Sequence, residues 1–147
     1  MTPSRLRLCA LALLLAGCNR GGSIPVVVTG PKSSAGWEVR YNATVALARR
    51  GSDMVKDEGV WDNLTEMLDE EQQMRNFRRA NKDGKEVSEA GAAHLTVIAG
   101  LQAVNELHKK RPDMDLAGLN AAIEKLTHSG NLAVNTEAKR TQQLLAK

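Results

Sequence analysis

Three histidines, two cysteines and a few runs of carboxylates are the residues of this 147-residue chain that could do chemistry. His94 and His108 share one helical face, but at ~1.5 Å of rise per residue they stand about 21 Å apart, too far to hold one metal ion. His128 falls at a predicted helix end, where an imidazole meets backbone carbonyls and the negative end of the dipole. His94 reads as a satisfied core position. Asp57-Glu58 and Asp69-Glu70-Glu71 offer paired carboxylates for acid–base work, yet both fall at solvated helix ends. Ser52, Ser88 and Ser129 read as turn or cap residues, with no histidine at helical spacing to activate them. The turn Asn81-Lys82-Asp83-Gly84 has the glycine of a calcium loop. Placing Gly84 sixth, however, puts Arg79 first and Ala90 twelfth, where carboxylates are needed. The chain contains no phosphate-binding glycine loop, no HExxH and no GxSxG. The residues therefore read as non-enzymatic, with no cofactor and no metal. The alternative is an enzyme or metal-binding module whose carboxylates and histidines converge from distant positions.

Composition narrows the field further. Aromatics are 3% of the chain, namely Trp37, Trp61, Tyr41 and Phe77, which argues against an aromatic-rich β-sandwich and against a base-stacking surface. No apolar run approaches the ~20 residues that span a bilayer.

The first residues read as an address. Arg5 and Arg7 precede the apolar run Leu8 to Leu15, and the small residues Ala16-Gly17 lead to Cys18. This is the layout of an export signal. Leu15-Ala16-Gly17-Cys18 resembles the lipobox of bacterial lipoproteins. That resemblance implies cleavage after residue 17, a diacylglyceryl group on Cys18 and residence in the bacterial cell envelope, held to a membrane by lipid. Two or more acyl chains hold stably where one does not, at ~0.8 kcal/mol per buried methylene. Cys9 would leave with the signal, so Cys18 would be the sole cysteine and no disulfide framework could form. The formal charge of +3 includes Arg5 and Arg7. Without them the chain is close to neutral, poor ground for nucleic-acid binding. Residues 18–36, rich in Gly, Ser and Pro, read as the lipidated cysteine and a flexible tether. Ile24 to Thr29 is the one stretch there able to pair as an edge strand.

Residues 37–147 carry the helical period, and an all-α domain of about five helices is expected. Trp37, Tyr41, Thr44 and Ala48 recur at three- and four-residue spacing, with Val39, Ala43, Ala46 and Leu47 beside them, and Gly51 stops that helix. A second helix carries Val60, Trp61, Leu64, Met67 and Leu68; the acidic segment Asp69 to Glu71 follows, with Glu71 and Arg75 paired at i,i+4. The longest helix is expected over about Val87 to Lys109. Its stripe is Val87, Ala90, His94, Val97, Leu101, Val104 and His108, widened by Leu95 and Ile98. Pro112 ends it. Asp115 is a candidate N-cap for a helix bearing Leu116, Leu119, Ile123 and Leu126, and a last helix runs from about Ala133 to Leu145. No alternating strand pattern follows Pro31. Trp37 and Trp61 are expected to pack between the first two helices.

The helix starts repeat. Val39, Val87 and Val134 are 48 and 47 residues apart, each four residues before a small residue, Ala43, Gly91 or Ala138. Trp37 to Ala43 with Ala46-Leu47 and Gly51-Ser52 resembles the first helix of a HEAT or armadillo-like repeat, and Trp61 to Asp69 resembles the second. Met74-Arg75-Asn76 looks like another copy of Val39-Arg40-Tyr41, interrupted by the polar insert Arg78 to Glu86. The third copy departs from the pattern, with Asn135 in place of Arg40 and Gln142 in place of Leu47. The competing architecture is a closed bundle of five helices. A HEAT-like array implies a protein-interaction module, here with another envelope protein as partner. The residues to examine first are Arg75, Arg78, Arg79 and Lys82, suited to an acidic partner. A structural envelope lipoprotein built on a lone coiled coil would need a longer heptad run than Val87 to His108 supplies.

Overall fold

A computed structural model describes residues 36–146 of the chain. The signal, Cys18 and the tether up to residue 35 lie outside the described residues. The described residues form six α-helices, two short 3-10 turns and one small hairpin.

Helix α1 (Trp37–Arg50) stops where the sequence suggests. Gly51 takes φ 69, and its N–H and that of Ser52 close on Ala48 and Leu47, a left-handed C-terminal cap that glycine accepts without strain. A Cβ at Gly51 would also meet Lys110 Cβ at 3.0 Å. A 3-10 turn, Asp53–Lys56, follows under the Ser52 side chain. The second helix ends where the acidic segment begins, as expected, but a further helix opens there. Helix α2 (Glu58–Met67) closes at Leu68, and Asp69 Oδ1 then accepts from the Gln72 N–H at 3.1 Å to start α3 (Glu70–Asn76). An aspartate in that position satisfies N–H groups that a continuing helix would have paired itself. The count is therefore six helices.

Two further expectations are corrected. Met74-Arg75-Asn76 is the last turn of α3, so it does not open another repeat copy. The polar insert contains strands β1 (Arg78–Ala80) and β2 (Glu86–Ser88), antiparallel, with Arg78 opposite Ser88 and Ala80 opposite Glu86. Three-residue strands are too short to show an alternating pattern. The turn is held by Asn81, whose Oδ1 accepts from the N–H groups of Asp83 and Lys85, and by Gly84 at φ 74.

Helix α4 (Ala90–Lys110) begins three residues later than expected, because Val87 belongs to β2 and is about half exposed. Val97, Leu101 and Val104 of the expected stripe are buried, and Ala93, Gly100, Ala103, Asn105 and Leu107 join them. Leu95, expected to widen the stripe, is 68% exposed. Asp115, expected as the N-cap of the next helix, accepts from the Ala117 N–H at 2.9 Å one residue ahead of the cap of the second 3-10 turn (Ala117–Leu119), which is Leu116. Helices α5 (Asn120–Leu126) and α6 (Leu132–Leu145) follow, the latter capped by Asn131 through the N–H groups of Ala133 and Val134.

The long helices run parallel. Phe77 and Glu89 tie the start of α4 near Trp37 at the start of α1, while Lys110 and Arg111 reach the backbone of Arg49 and Gly51 at its end. Helix α6 lies on the other side of α4 in the same sense, with Asn131 beside His94 and Glu137 beside Asn105. Helices α2 and α3 return the chain between α1 and α4, and α5 returns it antiparallel to α6, with Glu124 against Gln142. Leu64, Leu68, Leu101, Leu107, Leu119, Ile123, Leu126 and Val134 form one continuous core. Gly100 lets α4 approach closely, since a Cβ there would meet Met67 Cβ at 3.2 Å.

Arg111 fastens the common end of α1 and α4. Its guanidinium grips Asp113 through two hydrogen bonds of 3.0 and 2.9 Å and reaches Asp53 at 2.7 Å. Hydrogen bonds from Arg111, and then its charge, hold the Asp53 carboxyl below its ordinary value, and Asp113 is lowered chiefly by the same hydrogen bonds. Carboxylates lowered in the folded state contribute stability above the unfolded value of about 4 and lose it as the pH falls through the folded values. Arg111→Ala is therefore expected to flatten the acid side of a Tm-against-pH curve. A variant that keeps the parent's slope below about pH 4 would show that the clasp contributes nothing.

Candidate functional site

The structure gathers one set of chemistry-bearing side chains that linear spacing did not suggest. His94 on α4 stands between Glu70 at the start of α3 and Asn131 at the start of α6. Its Nε2 lies 3.2 Å from Glu70 Oε1, and its Nδ1 lies 3.0 Å from Asn131 Nδ2. Ser129 Oγ donates to the same Glu70 oxygen at 2.8 Å and accepts from the Asn131 N–H. Asn131 Oδ1 is committed to capping α6, so its amide must donate to His94. The imidazole proton then sits on Nε2, facing Glu70. The serine hydroxyl donates to the Glu70 carboxylate and not to the imidazole. The group pins three helix ends together. His94 is satisfied, as expected, but by polar side chains at a part-exposed position and not within the core. These residues come from separate helices, and no local pattern announces them.

His128 pairs loosely with Glu124, at 3.6 Å. The expected Glu71–Arg75 pair is replaced: Glu71 bonds Lys125 at 2.9 Å, and Arg75 donates to Gln72 Oε1 at 2.7 Å. The anionic partner raises the pKa of Lys125, first by hydrogen bonding and then by charge.

Of the four basic residues singled out by sequence, Arg75 and Arg78 line one shallow depression of about 430 Å³ beside Glu70, Glu71, Met74 and His94. Arg78 faces Glu86 at 3.8 Å across the hairpin, with both side chains more than half exposed. Lys82 lies in the exposed turn, and Arg79 is on β1 opposite Val87.

On the adjoining face is a groove of about 550 Å³, lined among others by Trp37, Tyr41, Phe77, Leu95, Arg49 and Arg78. Trp37 stacks edge-on against Phe77, with ring centroids 4.7 Å apart, and tilts over Tyr41 at 5.4 Å. The two tryptophans therefore part company. Trp37 joins this aromatic cluster, and Trp61 lies on the core beside Gly118, where a Cβ would meet its ring at 3.2 Å. The Tyr41 hydroxyl accepts from Gln73 Nε2 at 3.0 Å and from Asn76 Nδ2 at 3.3 Å. Behind it, Arg40 bonds Asn63 at 3.0 Å, so α1 meets α2 and α3 through a polar seam.

Among the described residues, no group of three or more His, Cys, Asp or Glu is placed to hold a metal ion, and no helix is long and apolar enough to cross a membrane. No protein-family model, curated protein or solved structure matches this chain. The chemistry of its own surface then has to carry the functional reading. That surface offers an aromatic groove with arginines at its rim, continuous with a protruding basic hairpin.

Proposed function

We propose that this chain is a membrane-anchored, non-enzymatic interaction module of the bacterial cell envelope, held by lipid on Cys18 and binding another envelope protein. Its helices form a short HEAT-like array, with α1, α4 and α6 as one layer and α2, α3 and α5 as the other. The parallel run of the three long helices supports that reading. Against the repeat register, the spaced valines differ in burial: Val39 and Val87 are exposed and Val134 is buried.

The observation that carries the function is the aromatic groove next to the hairpin. Leu95 and Trp37 offer apolar surface there, and Arg78 belongs both to this groove and to the depression that Arg75 lines. Aromatic and arginine side chains are the residue types that dominate binding energy at protein interfaces. The partner is an acidic segment with an apolar anchor. The anchor lies on Trp37, Phe77 and Leu95, and its carboxylates face Arg75, Arg78, Arg79 and Lys82.

The test is crosslinking of the full lipoprotein in its native envelope from a photoreactive residue at Lys85. One discrete protein adduct is expected, reduced at least about tenfold in the Arg75→Glu, Arg78→Glu double variant, as loss of ~1.4 kcal/mol or more would produce. Rim charges act on encounter, so the adduct should also weaken as salt rises. An adduct of unchanged intensity in the double variant rejects the basic face as the contact.

A further inference from the structure

Because α4 and α6 lie parallel, their C-terminal halves and the end of α1 enclose a second groove of about 540 Å³, remote from the hairpin. Arg49, Lys109, Lys110 and Arg140 bring four positive charges to it, and Glu106 and Glu137 bring two negative ones. The charges are only partly spent on one another. Lys109 bonds Glu106 at 2.8 Å, and Arg140 stands 3.8 Å from Glu137. The Arg49 guanidinium has no ion-pair or hydrogen-bond partner among the described residues, although its charge is felt at Glu106.

At the base of the groove is Asn105, 6% exposed. Its Nδ2 donates to Glu137 Oε1 at 3.0 Å, which fixes the amide's orientation, and its Oδ1 has no partner. A buried acceptor without a donor is costly. Of the five buried side-chain nitrogen and oxygen atoms that lack a partner among the described residues, it is the one whose residue lines the groove. Capping of helix C-termini accounts for basic residues near the ends of α1 and α4. It does not account for an orphaned amide oxygen beneath them.

We infer that this groove binds a small phosphate monoester that carries an amine or hydroxyl close to its phosphate. The surplus of two positive charges matches a dianion, which sits among Arg49, Lys110 and Arg140, where arginine forks and ammonium groups complement phosphate oxygens. The donor end turns toward Glu137 and Asn105 Oδ1. The same chemistry occurs in free phosphorylated amino alcohols and in lipids whose phosphate monoester lies beside a free hydroxyl, such as lysophosphatidic acid.

Two measurements on the full chain separate those sources. Calorimetric titration with O-phosphoethanolamine is expected to show binding at least tenfold tighter than inorganic phosphate or ethanolamine alone, and weakened at least tenfold by Arg49→Ala and by Arg140→Ala. If instead the protein floats with phosphatidylcholine vesicles containing lysophosphatidic acid more than with vesicles containing phosphatidic acid, which lacks the hydroxyl, and loses this in the same two variants, the ligand is a lipid headgroup. Both arginines are surface residues, so these variants should fold. Asn105→Leu, checked for folding by circular dichroism, reports the donor half. Inorganic phosphate binding as tightly as phosphoethanolamine, variants that bind like the parent, or the absence of binding in both formats each overturns the inference.

Discussion

Leu101→Ala is expected to lower the unfolding free energy by about 2–5 kcal/mol, while Leu95→Ala, six residues away on the same helix, should change it by no more than about 0.5 kcal/mol. Leu101 is fully buried in the core, and truncating it leaves a cavity that the helices packed on α4 cannot close without moving. Leu95 faces outward at 68% exposure, over the groove. For a domain of about this size the first change should bring Tm down by roughly 10–25 °C, read from helical circular dichroism on heating. A matching set of urea midpoints would separate the two without reliance on heat. Comparable losses at both positions would mean that α4 is rotated from the orientation described.

Tyr41 should resist ionisation until the protein unfolds. It is the only tyrosine, so tyrosinate absorbance reports this one site. Burial pushes the phenol well above its ordinary value of about 10, and the nearby Glu66 carboxylate pushes the same way, against the donation from Gln73, which lowers it. The sign follows from proton counting. Above about pH 10 the unfolded chain gives up the phenolic proton and the folded chain keeps it, so stability is full below that pH and declines as pH rises. The tyrosinate signal and the loss of helical ellipticity should therefore appear together, as one transition. Tyr41→Phe should move the onset of alkaline unfolding to higher pH, although lysine deprotonation will still unfold it eventually. A phenol that titrates near pH 10 with the helices intact would show that the seam between α1 and α3 is open to water.

Helical content was legible because it depends on local pattern. Gly51, Pro112 and the Ser129-Gly130-Asn131 break each act within a turn of where they stand, and all mark true boundaries. Asp69 reads as a helix end, but nothing in its acidic surroundings says that it also opens a new helix. Only the bond from the Gln72 N–H reveals it as a cap. Leu95 was misplaced for a related reason. It continues an apolar pattern, but which side of α4 is covered depends on where α1, α3 and α6 arrive, and that is a tertiary decision. Arg75 and Arg78 were found together because they are close in sequence, whereas the Glu70–His94–Ser129–Asn131 group could not be found. Its members are brought from three helix starts by the parallel layout of α4 and α6. The orphaned Asn105 was likewise invisible, since an asparagine in a helix says nothing of its burial until the neighbouring helix is in place.

The parallel layout also sets an order of events as the polypeptide emerges, whether from a ribosome or from an export channel. Once Lys110 is out, everything that α1, α2 and α3 contribute to α4 is available, and this first part can begin to assemble. The flank of α4 that α6 covers has no occupant until some twenty further residues have followed. A pause in that interval leaves apolar surface open to proteases and to other nascent chains. Asn131 ends the exposure: it starts the last helix and, through the His94 imidazole, fastens that helix to a flank already waiting for it.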